Sequence, residues 1–225
     1  MNRRSLLIAA LGAAIVPSSA FALTQSQTAS GLRQALSAAA QYATDRLGQR
    51  DGFFGDNRVR IALPRTLANA QRSLAPLHMS GPLDDLQLRM NRGAEAAMPQ
   101  AKRLFLSAIR TITIQDAIGI VTGGDDAATR YLRGRTEGDL TTALRPPMRN
   151  ALDGAGAFTA LDRASRSLQS TGLVPSSTEL RSQVVNFAVT KALDGAFLYL
   201  GEEEGRIRHN PVKQTTSLLR QIFGH

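Results

Sequence analysis

The 225-residue chain reads as an all-α protein, a single multi-helix bundle around a central apolar helix at residues 180–204. Three observations carry that expectation. In Ser182–Leu200, residues such as Val184, Val185, Phe187, Leu193, Phe197 and Leu200 cover most of a helix circumference. A helix apolar nearly all round belongs in a core or a membrane, and Asn186, Thr190, Lys191 and Asp194 interrupt this one too often for a bilayer span. Elsewhere, apolar residues recur three and four apart along much of the chain, the helical period. Strict alternation occurs once, where Val59, Ile61 and Leu63 alternate with Arg58, Arg60 and Ala62 up to Pro64. A lone strand has no partner, so this piece is expected as an extended connector.

The elements follow in order. Leu23 to about Ser30 has no apolar period and reads as a flexible tail, with residues 31–225 as the single domain. Ser30 is placed to N-cap a helix through Leu32, Leu36, Ala39, Ala43 and Leu47, which Gly48 ends. Asp51–Asn57 is a turn-rich loop. Leu67, Ala70, Leu74 and Leu77 form the next stripe, and Pro82 opens another through Leu83, Leu86, Met90, Ala94 and Ala97. Pro99 interrupts the period before Leu104, Phe105 and Ile109, giving either one kinked helix or two that meet.

Thr113 with Asp116, and Thr136 with Asp139, both fit capping boxes. Between them Gly123-Gly124 ends a helix and Asp125 is placed to cap the next; Pro146-Pro147 is expected to kink or end the helix begun at Thr136. Gly154-Ala155-Gly156 breaks the chain before a stripe through Phe158, Leu161 and Ala164. After Gly172–Ser177 comes the central helix, with Gly201 marking the change to a charged exit, then an Asn210-Pro211 turn and a last helix with Leu218, Leu219, Ile222 and Phe223. About eight to ten helices result, given usual helix lengths.

Residues 1–22 have the form of a cleaved export signal: Arg3-Arg4, an apolar run from Leu6 to Val16, and Ala20-Phe21-Ala22 before Leu23. Its paired arginines suit either the general secretory or the twin-arginine route. The expected location is the periplasm. Removing these residues takes away Arg3 and Arg4 and no acid, lowering the formal charge from +9 to +7. That balance suits anionic envelope components as partners. Nucleic acid is not expected, because basic runs with interleaved aromatics are missing. Without cysteine the sequence excludes disulfides, a thiol nucleophile and a lipidated cysteine. A chain this size buries roughly 70% of its unfolded surface, so its core suffices.

No constellation specifies chemistry. His78, His209 and His225 are isolated, so neither metal nor cofactor is expected. Asp84-Asp85 and Asp125-Asp126 stand at helix starts, where capping and the helix dipole account for them. Gly123-Gly124 lacks phosphate-loop spacing, and Asp125 and Asp126 put negative charge where an anion would sit. No G-x-S-x-G or Ser-x-x-Lys pattern occurs. What remains is a polar set of Asn91, Arg92 and Glu95 on one helix face and Lys191 with Asp194 on the central helix. Candidate catalytic residues are Glu95, Asp116, Lys191 and Asp194, with a buried Glu95 as general acid. The competing account makes them structural pairs that fix packing, Arg92 and Glu95 supplying the partners of Lys191 and Asp194. Glu202-Glu203-Glu204 followed by Arg206 and Arg208 is an acid-then-base run near a helix end, expected to pair with the surface around it as a solvated face.

Several words match one family: Met90-Asn91-Arg92-Gly93-Ala94-Glu95, Ala127-Ala128-Thr129-Arg130-Tyr131-Leu132, Ala192-Leu193-Asp194-Gly195-Ala196-Phe197, and Ile207-Arg208-His209-Asn210-Pro211. Together with Asp116-Ala117, Gly123-Gly124 and Asp51-Gly52-Phe53, they resemble the domain-of-unknown-function 4197 family of exported bacterial proteins. Gly93 stands where an alanine is frequent, and Ala62 where a proline is. The resemblance implies an exported, mostly helical domain and carries no activity, cofactor or catalytic residue. Asn91, Arg92 and Tyr131 are the candidate ligand-binding residues.

The leading expectation is a non-enzymatic periplasmic envelope protein, a binding or structural module for a hydrophobic or anionic ligand, with an apolar groove near the central helix and arginines at its mouth. A hydrolase or lyase of an envelope polymer using Glu95, Lys191 and Asp194 is the first alternative. An assembly partner acting through a protein surface is the second.

Overall fold

The computed structural model describes residues 25–169 and 177–209. The expected export signal at 1–22, the 172–176 part of the loop before the central helix, and the last turn and helix after His209 lie outside them. The architecture is all-α: α1 (Gln25–Leu47), α2 (Arg65–Leu74), a 3-10 turn (Ala75–Leu77), α3 (Gly81–Arg110), α4 (Ile114–Val121), α5 (Ala127–Gly154), α6 (Ala157–Gln169) and α7 (Ser177–His209). No strand occurs among the described residues.

The central helix is α7, longer at both ends than expected. It packs mainly between α1 and α5, while α3 lies against α1, α5 and α6. Val184, Ala188, Val189, Ala192, Leu193, Ala196 and Leu200 are buried, which is why the sequence is apolar on so many sides. α3 reaches α7 at one aromatic contact, Phe105 edge-on to Phe197 with centroids 5.2 Å apart. Among the described residues no single helix is long and apolar enough to cross a membrane.

Two local expectations are corrected, and the proline alternatives are decided in favour of continuous helices. α1 starts at Gln25, so 25–30 is not a tail: Ala29 and Leu32 are buried, and nothing in Gln25-Ser26-Gln27-Thr28 breaks a helix. Thr136 starts no helix; α5 runs through it, and its hydroxyl donates to the Leu132 carbonyl at 2.6 Å. Pro146-Pro147 also lies inside α5, where Leu144, Met148 and Leu152 are fully buried. Packing on both sides of the prolines outweighs the lost backbone bonds. Pro99 likewise lies within one α3. These mergers make the helices longer than expected, and seven α-helices lie among the described residues.

The Thr113–Asp116 capping box forms. Asp116 accepts from the Thr113 amide at 3.0 Å, and the Asp116 amide donates to the Thr113 hydroxyl at 3.2 Å. The connector also behaves as the alternation requires: Val59, Ile61 and Leu63 are buried while Arg58, Arg60 and Ala62 are exposed. Gly195 lets it approach α7, since a Cβ there would stand 2.9 Å from the Phe53 ring and 3.3 Å from Val59.

Candidate functional site

The polar residues singled out by sequence fall into separate places. On α3, Asn91 and Glu95 are buried and face the 51–64 loop. The Asn91 amide serves Ile61 as a neighbouring strand would: Ile61 N–H donates to Oδ1 at 2.9 Å, and Nδ2 donates to the Ile61 carbonyl at 2.8 Å. The same Nδ2 reaches the Gln87 carbonyl at 2.8 Å, which engages the whole amide. Glu95 is 4% exposed and accepts from Phe53 N–H at 3.2 Å, Phe54 N–H at 3.3 Å and Arg92 at 2.8 Å. Arg92 bridges on to Asp51 at 2.7 Å, and Glu95 raises the guanidinium's pKa further. This set fastens a loop that has no backbone ladder of its own.

Lys191 and Asp194 do not join it. Lys191 donates to Asp194 at 3.0 Å, and Asp194's partner from another helix is Arg133 of α5. Arg133 also bonds Glu137 at 2.9 Å and lies over the Phe197 ring, 5.2 Å from its centroid. Burial pushes the Asp194 carboxyl up, but the bonds from Lys191 and Arg133 prevail and hold it below its ordinary value. The expected pairing of Lys191 and Asp194 with Arg92 and Glu95 is therefore incorrect. The Phe53 ring lies against Gly195 of α7, while its N–H is bonded to Glu95 of α3.

Asp116 and Tyr131 meet each other instead. Bonds from Thr113 and from the Tyr131 hydroxyl lower the Asp116 pKa to about 2, while burial and the carboxylate raise that of Tyr131.

A third set is the acid-then-base run near the end of α7, expected to lie on a solvated face. Glu203 and Glu204 are buried. Glu204 receives Ala128 N–H at 3.0 Å, Thr129 N–H at 2.8 Å and the Thr129 hydroxyl at 2.7 Å, so it caps α5 from another helix. Neither Asp125 nor Asp126 does so; Asp126 stands at the N-cap with no side-chain bond to the helix's amides, its carboxylate paired with Arg130 at 3.0 Å. Arg208 pairs with Glu204 at 2.8 Å and donates to the carbonyls of Ile120 at 3.1 Å and Val121 at 3.3 Å. One ion pair thus satisfies the start of α5 and the end of α4, with charge signs that match both helix dipoles. The i,i+4 spacing of Glu204 and Arg208 was visible in sequence; the helix ends facing them were not.

Beside the open α7 pair runs a groove of about 850 Å³. Its floor follows α7 from Phe187 through Lys191, Asp194, Leu198 and Glu202, about 22 Å at 1.5 Å per residue. One wall is the connector with Arg58 and Arg60, the other the first turns of α5 with Arg130 and Arg133. Leu198 is 41% exposed and Phe187 half-buried, so the all-round apolar helix leaves part of its surface open here. Arg58 is held by Asp56 at 2.7 Å and Glu202 at 2.6 Å. Tyr199 donates to Asp56 at 2.6 Å, and with Arg58 it drives that carboxyl far below its usual range. Arg60 differs: its Nε donates to the Phe54 carbonyl at 2.6 Å, and its guanidinium lies 4.9 Å from the Phe54 centroid. Among the described residues it has no carboxylate partner. Asn91, Arg92, Glu95, Asp116 and Tyr131 do not line this groove.

Among the described residues no three His, Asp or Glu side chains gather as metal ligands would. Fold and site define an all-α bundle whose sealed polar clusters bind loops and helix ends and whose central helix is open along one charged-rimmed groove. The chain belongs to the family described as Protein of unknown function (DUF4197), whose profile matches residues 22–224. No curated protein and no solved structure matches it.

Proposed function

We propose that this is a non-enzymatic periplasmic protein of the cell envelope that binds an anionic amphiphile, a molecule with an apolar chain and a carboxylate or phosphate head. The groove along α7 is the observation that carries this reading. Phe187 and Leu198 offer apolar surface on its floor, and Arg58, Arg60, Arg130, Arg133 and Lys191 stand along it. Its volume falls in the range of small-molecule sites, roughly 300–1,000 Å³. Most of the cations are engaged by acids, so the head group's best station is Arg60, whose charge no described carboxylate offsets. Export is supported by the Arg3-Arg4 and Ala20-Phe21-Ala22 pattern and by a family match that leaves residues 1–21 outside it.

A hydrolase or lyase using Glu95, Lys191 and Asp194 lacks comparable support. Glu95 is committed to two backbone amides and Arg92, and it has no face on the groove that Lys191 and Asp194 line.

Native mass spectrometry of the purified protein titrated with dodecyl phosphate tests the proposal. A one-to-one adduct is expected, weakened about tenfold by Arg60→Glu through loss of a charge-assisted bond and weakened again by Leu198→Asp. An apo spectrum unchanged throughout the titration overturns it, as does binding by both variants as strong as that of the wild type.

A further inference from the structure

Away from the groove, the lobe formed by α2 and the 3-10 turn is loosely held. In α2 only Leu67 is fully buried, and Ala75 to Met79 are all exposed. Leu77 and Met79 are 64% and 61% exposed, more than any other large apolar side chain described. Their backbone is nevertheless closed: His78 N–H donates to Ala75 O at 3.0 Å and Met79 N–H to Leu74 O at 3.1 Å, with His78 in the left-handed region at φ 56°. Those bonds hold the tip's shape and leave both side chains facing solvent.

Charge indicates what such a tip meets. From Asn57 to Leu83 the sequence contains no acid, while it contains Arg58, Arg60, Arg65 and Arg72. Arg65 and Arg72 stand exposed on α2 itself. Among the described residues Arg72 is bonded only to the neutral Asn69, at 2.6 Å, and the nearest acids along the chain, Asp84 and Asp85, already receive Gln71 and Ser80 or Arg89. Two apolar side chains fall well short of the roughly 800 Å² per partner of a stable protein interface. They do suit shallow entry at a lipid headgroup boundary, where basic residues add attraction to anionic lipid.

We propose that residues 65–79 form a membrane-contact element, with Leu77 and Met79 entering the headgroup boundary of an anionic bilayer while Arg65 and Arg72 meet lipid phosphates. The lobe lies outside the groove, so the proposal does not depend on the amphiphile reading. The test is co-sedimentation of the purified protein with vesicles of phosphatidylcholine, alone or mixed with phosphatidylglycerol. The variants are Leu77→Ser/Met79→Ser and Arg65→Gln/Arg72→Gln, all sharing the wild-type N terminus. Circular dichroism verifies their fold, and light scattering gives the oligomeric state. Binding is expected on the mixed vesicles and much less on the neutral ones. The apolar double variant should weaken it about tenfold, and the arginine double variant about 30-fold at low salt, from the usual contribution of each basic residue near an anionic surface. Three results overturn the proposal: no vesicle binding, binding that both double variants leave unchanged, or a dimer that the apolar variant dissociates without any vesicle binding by the wild type.

Discussion

Glu95 on α3 and Asp194 on α7 are both carboxylates beside an arginine on a core helix, yet they hold opposite positions in the molecule. Glu95 is 4% exposed, with its oxygens taken by the amides of Phe53 and Phe54 and by Arg92. Asp194 bonds only side chains, Lys191 and Arg133, and its own side chain is 34% exposed along the groove. A carboxylate that closes backbone donors is part of the fold, because those N–H groups have no other partner. One that answers only to long, half-exposed side chains is replaceable, because each can turn to water or to a ligand. Glu204 belongs with Glu95 and extends the pattern, joining two helix ends through one ion pair.

The largest effect should come from Glu204→Ala. It strips the caps from Ala128 and Thr129 and removes the carboxylate that Arg208 pairs with at 2.8 Å beside the α4 carbonyls. Breaking a buried pair from one side costs about 3–5 kcal/mol, and urea unfolding should show that loss. A cost under about 1 kcal/mol, the worth of an exposed pair, would move Glu204 to the class of Asp194.

Glu95→Ala ranks next. Losing two amide bonds and an arginine bond to a buried carboxylate should cost about 2–3 kcal/mol. Hydrogen exchange locates the damage: the amides of Phe53, Phe54 and Ile61 should open faster while those of α5 keep their protection. Uniform acceleration across the bundle would mean that Glu95 supports the core and not one loop.

How much of this was legible in the sequence follows the same division. Periodicity marked α7 as the hub because apolar residues on nearly every side need core on nearly every side. The Thr113–Asp116 cap was readable because both halves of its geometry lie within four residues. The alternation around Ile61 predicted an extended piece, but not that Asn91, thirty residues later, supplies its missing strand neighbour. Thr136 failed as a cap for the complementary reason: the local signal was sound, but burial of Leu132, Leu140 and Leu144 carried the helix through it. Glu204's role is hidden in sequence because a run of three glutamates looks solvated until the ends of α4 and α5 are placed beside it. The groove was anticipated in kind. Its arginines come mostly from the connector and α5, positions that depend on tertiary packing.

Lys191→Ala should be nearly silent in stability, less than about 1 kcal/mol, because the pair with Asp194 is half-exposed and Arg133 still holds the carboxylate. Dodecyl phosphate binding should weaken in the same variant if Lys191 attracts the ligand's charge. A large stability loss in urea would instead make the open pair structural and erase its contrast with Glu95.

The smallest effect is expected at Asp116, and it separates two explanations of that contrast. Like Glu95, Asp116 closes a backbone amide; like Asp194, it stands in reach of solvent. Bonds from Thr113 and Tyr131 lower its folded pKa to about 2, below the ordinary unfolded value of about 3.9. The stability contributed by the charge is therefore complete above about pH 4 and is lost as the pH falls through about 2. Asp116→Asn keeps an oxygen acceptor and removes the charge. Its Tm should lie slightly below that of wild type at pH 7, with the gap closing as the pH falls from about 4 towards 2. A gap that persists unchanged at pH 2 would assign the effect to hydrogen-bond geometry, because half of the wild-type charge and most of the stability it contributes have gone there. In that case satisfying a backbone donor, whether sealed or at the surface, is what makes a carboxylate part of this fold.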